Sequence, residues 1–154
     1  MKYWKAAAIG ILTLSASRPA PAIELITPAE ARPELQAQQS QSHRLILRGG
    51  ILPYPDIQLV SPPEGQPSLN SPFRLNVKFA AHSGSQIDLT SFGATYLNNP
   101  SVDLTTRLRQ FVSVTGIVLE QVEAPPGRHL TKIDISDNAG HSASKIIELR
   151  VNRR

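Results

Sequence analysis

The sequence predicts an all-β fold, an antiparallel β-sandwich of about seven strands with one short helix between strands. Three observations carry this. From Pro53 onward, short alternating runs sit between clusters of Pro, Gly, Asn and Ser. The run Phe73–Ala80 alternates strictly, with Phe73, Leu75, Val77 and Phe79 against Arg74, Asn76 and Lys78. That is the pattern of a strand with one buried and one wet face. No proline falls inside a predicted strand, where it would remove a ladder hydrogen bond.

Taken in order, Asp56–Val60 places Ile57 and Leu59 on one face, and the proline-rich SPPEGQPSLNSP (61–72) is a loop. Phe73–Ala80 follows, then the turn AHSGSQ. Ile87–Leu89 and Phe92–Leu97 are strand candidates around Thr90-Ser91, and NNPS (98–101) breaks the chain. VDLTTRLRQFV supports two readings. Val102, Leu104, Leu108 and Val112 share strand parity, whereas Leu104, Leu108, Phe111 and Val112 form a helical stripe with Asp103 as N-cap. The helix is favoured, because only it brings Phe111 into the core. Ile117–Val122 is the next strand and EAPPG a tight bend. Arg128–Ser136 and Ser144–Val151 close the domain as a hairpin around DNAG. There Asp137 begins a type I turn, its carboxylate bonding an N–H two residues on, and Gly140 takes the left-handed position.

Upstream, the 154-residue chain opens with a positive MKYWK, a nine-residue apolar run AAAIGILTL and SASRPAPA. This reads as a secretory signal peptide over 1–22, cleaved after Ala22, with Ser17 as the second choice. The apolar run is too short to span a bilayer. The competing reading is a buried or membrane-anchoring N-terminal helix. Residues 23–52, rich in Pro, Glu, Gln, Ser and Ala, are expected to be a weakly ordered lead-in before a domain over 53–154. Within them LILRGGIL (45–52) reads as an edge strand or a linker.

The formal charge of +4 resides largely in the leader. Without residues 1–22, 13 basic residues face 12 acids. No basic cluster of the kind that marks a nucleic-acid partner remains. Cysteine is absent, which excludes disulfides, thiol catalysis and zinc–thiolate sites. The expected location is periplasmic or secreted, with no membrane span after cleavage.

Four local patterns add a resemblance: IQLVSPPEGQ, SPFRLNVKF, APPGRHLTKIDISD and DNAGHSASKIIELRV. Together, over residues 53–152, they resemble a bacterial immunoglobulin-like domain of a small exported protein. The resemblance implies an immunoglobulin-like antiparallel β-sandwich. It does not fix a ligand, since that fold serves adhesion, spacing, carbohydrate contact and chaperoning. The inter-sheet disulfide and core tryptophan of antibody domains are missing, because Trp4 lies in the leader.

Candidate site residues are few. His82-Ser83-Gly84-Ser85 with Asp88 holds the ingredients of a hydrolase triad, but Gly-x-Ser-x-Gly is absent and the turn reading is preferred. His129 is expected to be a half-buried strand residue bonded to a backbone group. Asp134 and Asp137, with Asn138, are the only metal candidates, and they fall short of the six to eight oxygens calcium takes. No cofactor is expected. Tyr54 and Tyr96 are the candidates for an exposed stacking surface on a polysaccharide; half-buried rings with wet hydroxyls are the ordinary reading. The sequence thus points to a non-enzymatic module that contacts an unidentified envelope or extracellular protein, with a carbohydrate-binding module as the alternative.

Overall fold

A computed structural model describes residues 22–31, 55–82, 84–98 and 100–153. They form an all-β sandwich. In chain order its elements begin with β1 (Ile23–Glu24), α1 (Pro28–Ala31), β2 (Asp56–Ser61), β3 (Phe73–Ala80), β4 (Ile87–Tyr96) and β5 (Val102–Asp103). There follow α2 (Thr105–Leu108) with a 3₁₀ turn over Arg109–Phe111, β6 (Val112–Ser113), β7 (Gly116–Glu123), β8 (Gly127–Asp137) and β9 (Ser142–Val151). One sheet runs β1-β7-β3-β2, with β6 also on β7; the other runs β5-β4-β8-β9. All pairs are antiparallel except β1 with β7.

The inward faces follow the alternation in the sequence. Leu75, Val77 and Phe79 of β3 meet Ile117 and Leu119 of β7 on one side of the core. Phe92, Ala94, Ile133, Ile135, Ile147 and Leu149 supply the other side. The two runs expected around Thr90-Ser91 are one strand, β4, with irregular register between Asp88 and Gly93.

The crossing segment after β4 is helical, as the stripe implied. Leu104 and Leu108 are buried and Phe111 packs on the core. The N-cap is Leu104, one residue later than expected and without a side-chain cap bond, while Asp103 accepts the Thr105 N–H at 2.7 Å from within β5. The same segment seals the edge of β4. Ala94 N–H donates to Thr105 Oγ1 at 3.0 Å and Leu104 N–H to the Ala94 carbonyl at 2.8 Å.

The hairpin tip is built as its residues require. Ala139 N–H donates to Asp137 Oδ1 at 3.0 Å, Gly140 N–H to the Asp137 carbonyl at 3.1 Å, and Gly140 sits at φ 88°.

The lead-in departs from expectation. Residues 32–54, including the apolar 45–52 run, lie outside the described residues, but 22–31 are part of the sandwich rather than a weakly ordered approach to it. Leu25 and Ile26 are buried in the core, and Leu25 N–H donates to the Glu123 carbonyl at 3.0 Å. Thr27 and Glu30 form a reciprocal capping box: Thr27 N–H donates to Glu30 Oε2 at 2.9 Å and Glu30 N–H to Thr27 Oγ1 at 3.3 Å. Three aliphatics in four residues (23–26) followed by Thr-x-x-Glu suffice to dock a short strap, which an average over 23–52 conceals. Among the described residues, no helix is long and apolar enough to cross a membrane.

Candidate functional site

Three groups of polar side chains are candidates for chemistry, and each closes on itself. At one end of the sandwich, the 82–86 turn meets the β8–β9 tip. Asn138 N–H donates to the Gln86 carbonyl at 2.9 Å and Gln86 N–H returns to Asn138 Oδ1 at 3.0 Å. Between them lies the fully buried Asp137 carboxylate. It accepts from Ser85 Oγ at 2.9 Å, from the Ala139 and His141 N–H groups at 3.0 and 2.9 Å, and from His141 Nδ1 at 3.0 Å. Burial pushes its pKa up; the donors from His141, Ser85 and Ala139 outweigh that and hold it at about 2.

Ser, Asp and His are therefore together, but wired differently from a hydrolase triad. There the imidazole bridges acid and nucleophile. Here the acid bridges, so the Ser85 proton points to a carboxylate too weakly basic to take it. The acid expected to serve this turn, Asp88, is occupied elsewhere: its Oδ1 accepts the Thr90 N–H and hydroxyl at 2.9 and 2.7 Å. Ser83 lies outside the described residues.

Strand parity separates the metal candidates. Asp137 faces inward at the tip, whereas Asp134 is on the outer face of β8, paired with Lys132 at 2.9 Å. Asn138 turns its Oδ1 to Gln86. Among the described residues, no group of three His, Cys, Asp or Glu side chains gathers as a metal site.

The second group corrects the stacking expectation. Tyr96 is 0% exposed, so its ring offers no face to a sugar. Its hydroxyl lies 3.0 Å from Nδ1 of His129, which is also 0% exposed rather than half-buried. His129 Nε2 donates to the Pro125 carbonyl at 2.8 Å. A carbonyl only accepts, so Nε2 carries a proton; in the neutral ring Nδ1 then accepts from the tyrosine hydroxyl. The ring pair staples β4 to the start of β8. Beside it in register, opposite Tyr96, Thr131 Oγ1 is buried and has no hydrogen-bond partner among the described residues. Tyr54 lies outside the described residues.

The third group holds the strap. Arg107 of α2 donates to both Glu30 carboxylate oxygens, at 2.7 and 3.0 Å, and to the Leu25 carbonyl at 3.2 Å. Asn98 Nδ2 donates to the Glu30 carbonyl. The Arg107 hydrogen bonds, with those from Thr27, hold Glu30 at about 2 against the upward push of burial. Beside the strap a shallow groove is lined by Glu24, Ile26, Pro28, Glu123, Pro125 and Arg153, among others. Neither Glu30–Arg107 nor Tyr96–His129 was legible as a pair, since the partners stand 77 and 33 residues apart. The aliphatic run over 23–26 and the Thr-x-x-Glu spacing were the local signals for the strap. Compared with known proteins, the chain matches no family model, no curated protein and no solved structure.

Proposed function

We propose that this chain is an exported, non-enzymatic, immunoglobulin-like module that acts by contacting a protein of the cell envelope or extracellular space. The carrying observation is the division of strands, in which β2, β3 and β7 face β5, β4, β8 and β9. Immunoglobulin-like sandwiches divide their strands in this way. The leader-like residues 1–22 support export. The wiring of Asp137 supports a binding rather than a catalytic role, because this Ser–Asp–His grouping is used to tie two loops together. The burial of Tyr96 leaves the polysaccharide alternative without one of its two rings.

The test is affinity co-purification. The tagged full chain is expressed with its leader, crosslinked in cells and recovered from envelope and periplasmic extracts. The expected result is one protein enriched in proportion to the bait and lost with the core variant Phe79→Ala. A clean monomer with no enriched protein contradicts the proposal.

A further inference from the structure

We infer that the end of the β8–β9 hairpin remote from its tip is an anion site, built on Arg128, Arg150 and Ser68, that takes a phosphodiester group. The inference goes beyond the protein-contact reading and does not depend on export. It starts from a conflict in the ladder. Arg128 and Arg150 stand directly opposite each other across β8 and β9. Like charges facing across a strand pair weaken it, so the pair is a cost to the hairpin. One acid serves both: Glu148 accepts from Arg128 Nη2 at 2.8 Å and from Arg150 Nε at 2.6 Å. The three side chains together carry one positive charge in excess. Glu148 reports the field at this spot, since the hydrogen bond from Arg128 and, against burial, that from Arg150 hold it at about 2.

The two arginines, Ser68 and Asn152 line an open pocket of about 520 Å³. Arg150 meets Glu148 through Nε, and its terminal nitrogens have no acceptor among the described residues. Ser68 Oγ likewise has no partner among them. Ser68 is set in place by its neighbour. Leu69 is buried, its N–H donates to the Arg150 carbonyl at 2.7 Å, and its carbonyl accepts from the Asn152 N–H at 2.8 Å. Donors thus reach the pocket from three segments: the 61–72 loop, β8 and β9. A carboxylate accepts near one plane and is satisfied by one guanidinium fork. Phosphate oxygens point in tetrahedral directions and suit donors from several segments. A diester carries a single negative charge, which matches the excess of one. The pocket is many times the roughly 30 Å³ of a water-sized guest, so it has room for the organic groups on the ester oxygens. The acids of the neighbouring groove, Glu24 and Glu123, share only Asn152 with this pocket.

The test is an NMR titration of the isotope-labelled full chain with glycerophosphoglycerol at constant ionic strength, read at amide and arginine Nε–H resonances. Saturable shifts are expected at Gly127, Arg128, Arg150 and Asn152, with a midpoint below about 10 mM. Arg150→Gln, which relieves the like-charge pair and should keep the folded spectrum, is expected to weaken binding by about tenfold through loss of a charged donor. Glu148→Gln, which removes the competing acid, is expected to tighten it by about threefold. Arg74→Gln is expected to leave it unchanged, since that guanidinium pairs with Glu120 on the other sheet. Acetate, a planar anion of the same charge, is expected to bind about tenfold more weakly. Co-sedimentation with phosphatidylglycerol vesicles separates the sources. Sedimentation that is lost in Arg150→Gln assigns the group to a lipid headgroup, and binding of the soluble diester alone assigns it to a soluble molecule. Binding of neither up to about 10 mM overturns the inference. So does acetate binding as tightly as the diester, or equal binding in Arg150→Gln and Arg74→Gln.

Discussion

Gly116→Ala is the sharpest perturbation of this sandwich. Gly116 lies at φ 138°, and a Cβ there would stand 2.0 Å from the Val77 carbonyl oxygen and 3.0 Å from Lys78 Cα. The obstacle is backbone on both counts, so no side chain can swing aside. Forcing an alanine into positive φ costs roughly 1–3 kcal/mol. Relieving the clash means parting β3 from β7 where Lys78 pairs with Gly116, and one or two ladder bonds at about 0.5–1.5 kcal/mol each are lost with it. The total is about 1.5–6 kcal/mol, a large share of the roughly 5–15 kcal/mol that holds a domain. Gly140 is the internal control. It too has positive φ, 88°, but an added Cβ meets nothing within 4 Å. Its alanine variant should therefore cost only about 1 kcal/mol, from strain alone. Urea denaturation of the two variants reads the difference directly, through midpoints at constant slope. If Gly116→Ala costs no more than Gly140→Ala, the close approach of β3 and β7 is wrong.

The remaining predictions concern the core, the acids and the hairpin tip. Phe79→Ala should lose about 3–5 kcal/mol in the same assay, by removing a buried ring and leaving a cavity; a loss below about 1 kcal/mol would place the wrong face of β3 inward. Thr131→Val should raise stability by about 1 kcal/mol, since it replaces a buried hydroxyl without a partner among the described residues with a methyl of the same shape; a loss in the melting scan would mean that the hydroxyl has a partner. Glu30 and Glu148 are each lowered from 4.5 to about 2, and Asp137 from 3.8 to about 2. Folded-state values below the unfolded ones give stability that is present above about pH 4.5 and is lost as pH falls toward 2. Melting temperature should thus be level from pH 7 to about 5 and fall below that, with a shallower fall in Glu30→Gln; an equal fall in that variant would remove Glu30 from the account. Calcium should leave the melting temperature unchanged, because Asp134 and Asp137 face opposite sides of β8.

The elements that local chemistry determines were readable in advance. The alternation of Phe73–Ala80, the stripe from Leu104 to Phe111 and the Asp137–Gly140 tip each rest on neighbours in sequence. What was missed rests on tertiary partners or on averaging. Tyr96 was a candidate for an exposed ring because nothing near it in sequence reveals that β4 and β8 bring it to His129. Asp137 read as a turn former, yet its depth depends on Ser85 and His141 as well, and Ser85 is 52 residues away. The strap vanished into the polar composition of 23–52, although IELITPAE holds both its aliphatic anchor and its capping box.

The most direct test of the whole account is the intact mass and location of the protein made from its full reading frame in a bacterial host. The account predicts a product outside the cytoplasm whose mass begins at Ile23, so that the processed chain starts at the first residue of β1. A cytoplasmic protein of uncleaved mass would contradict export, and with it the reading of this sandwich as a module of the envelope or extracellular space.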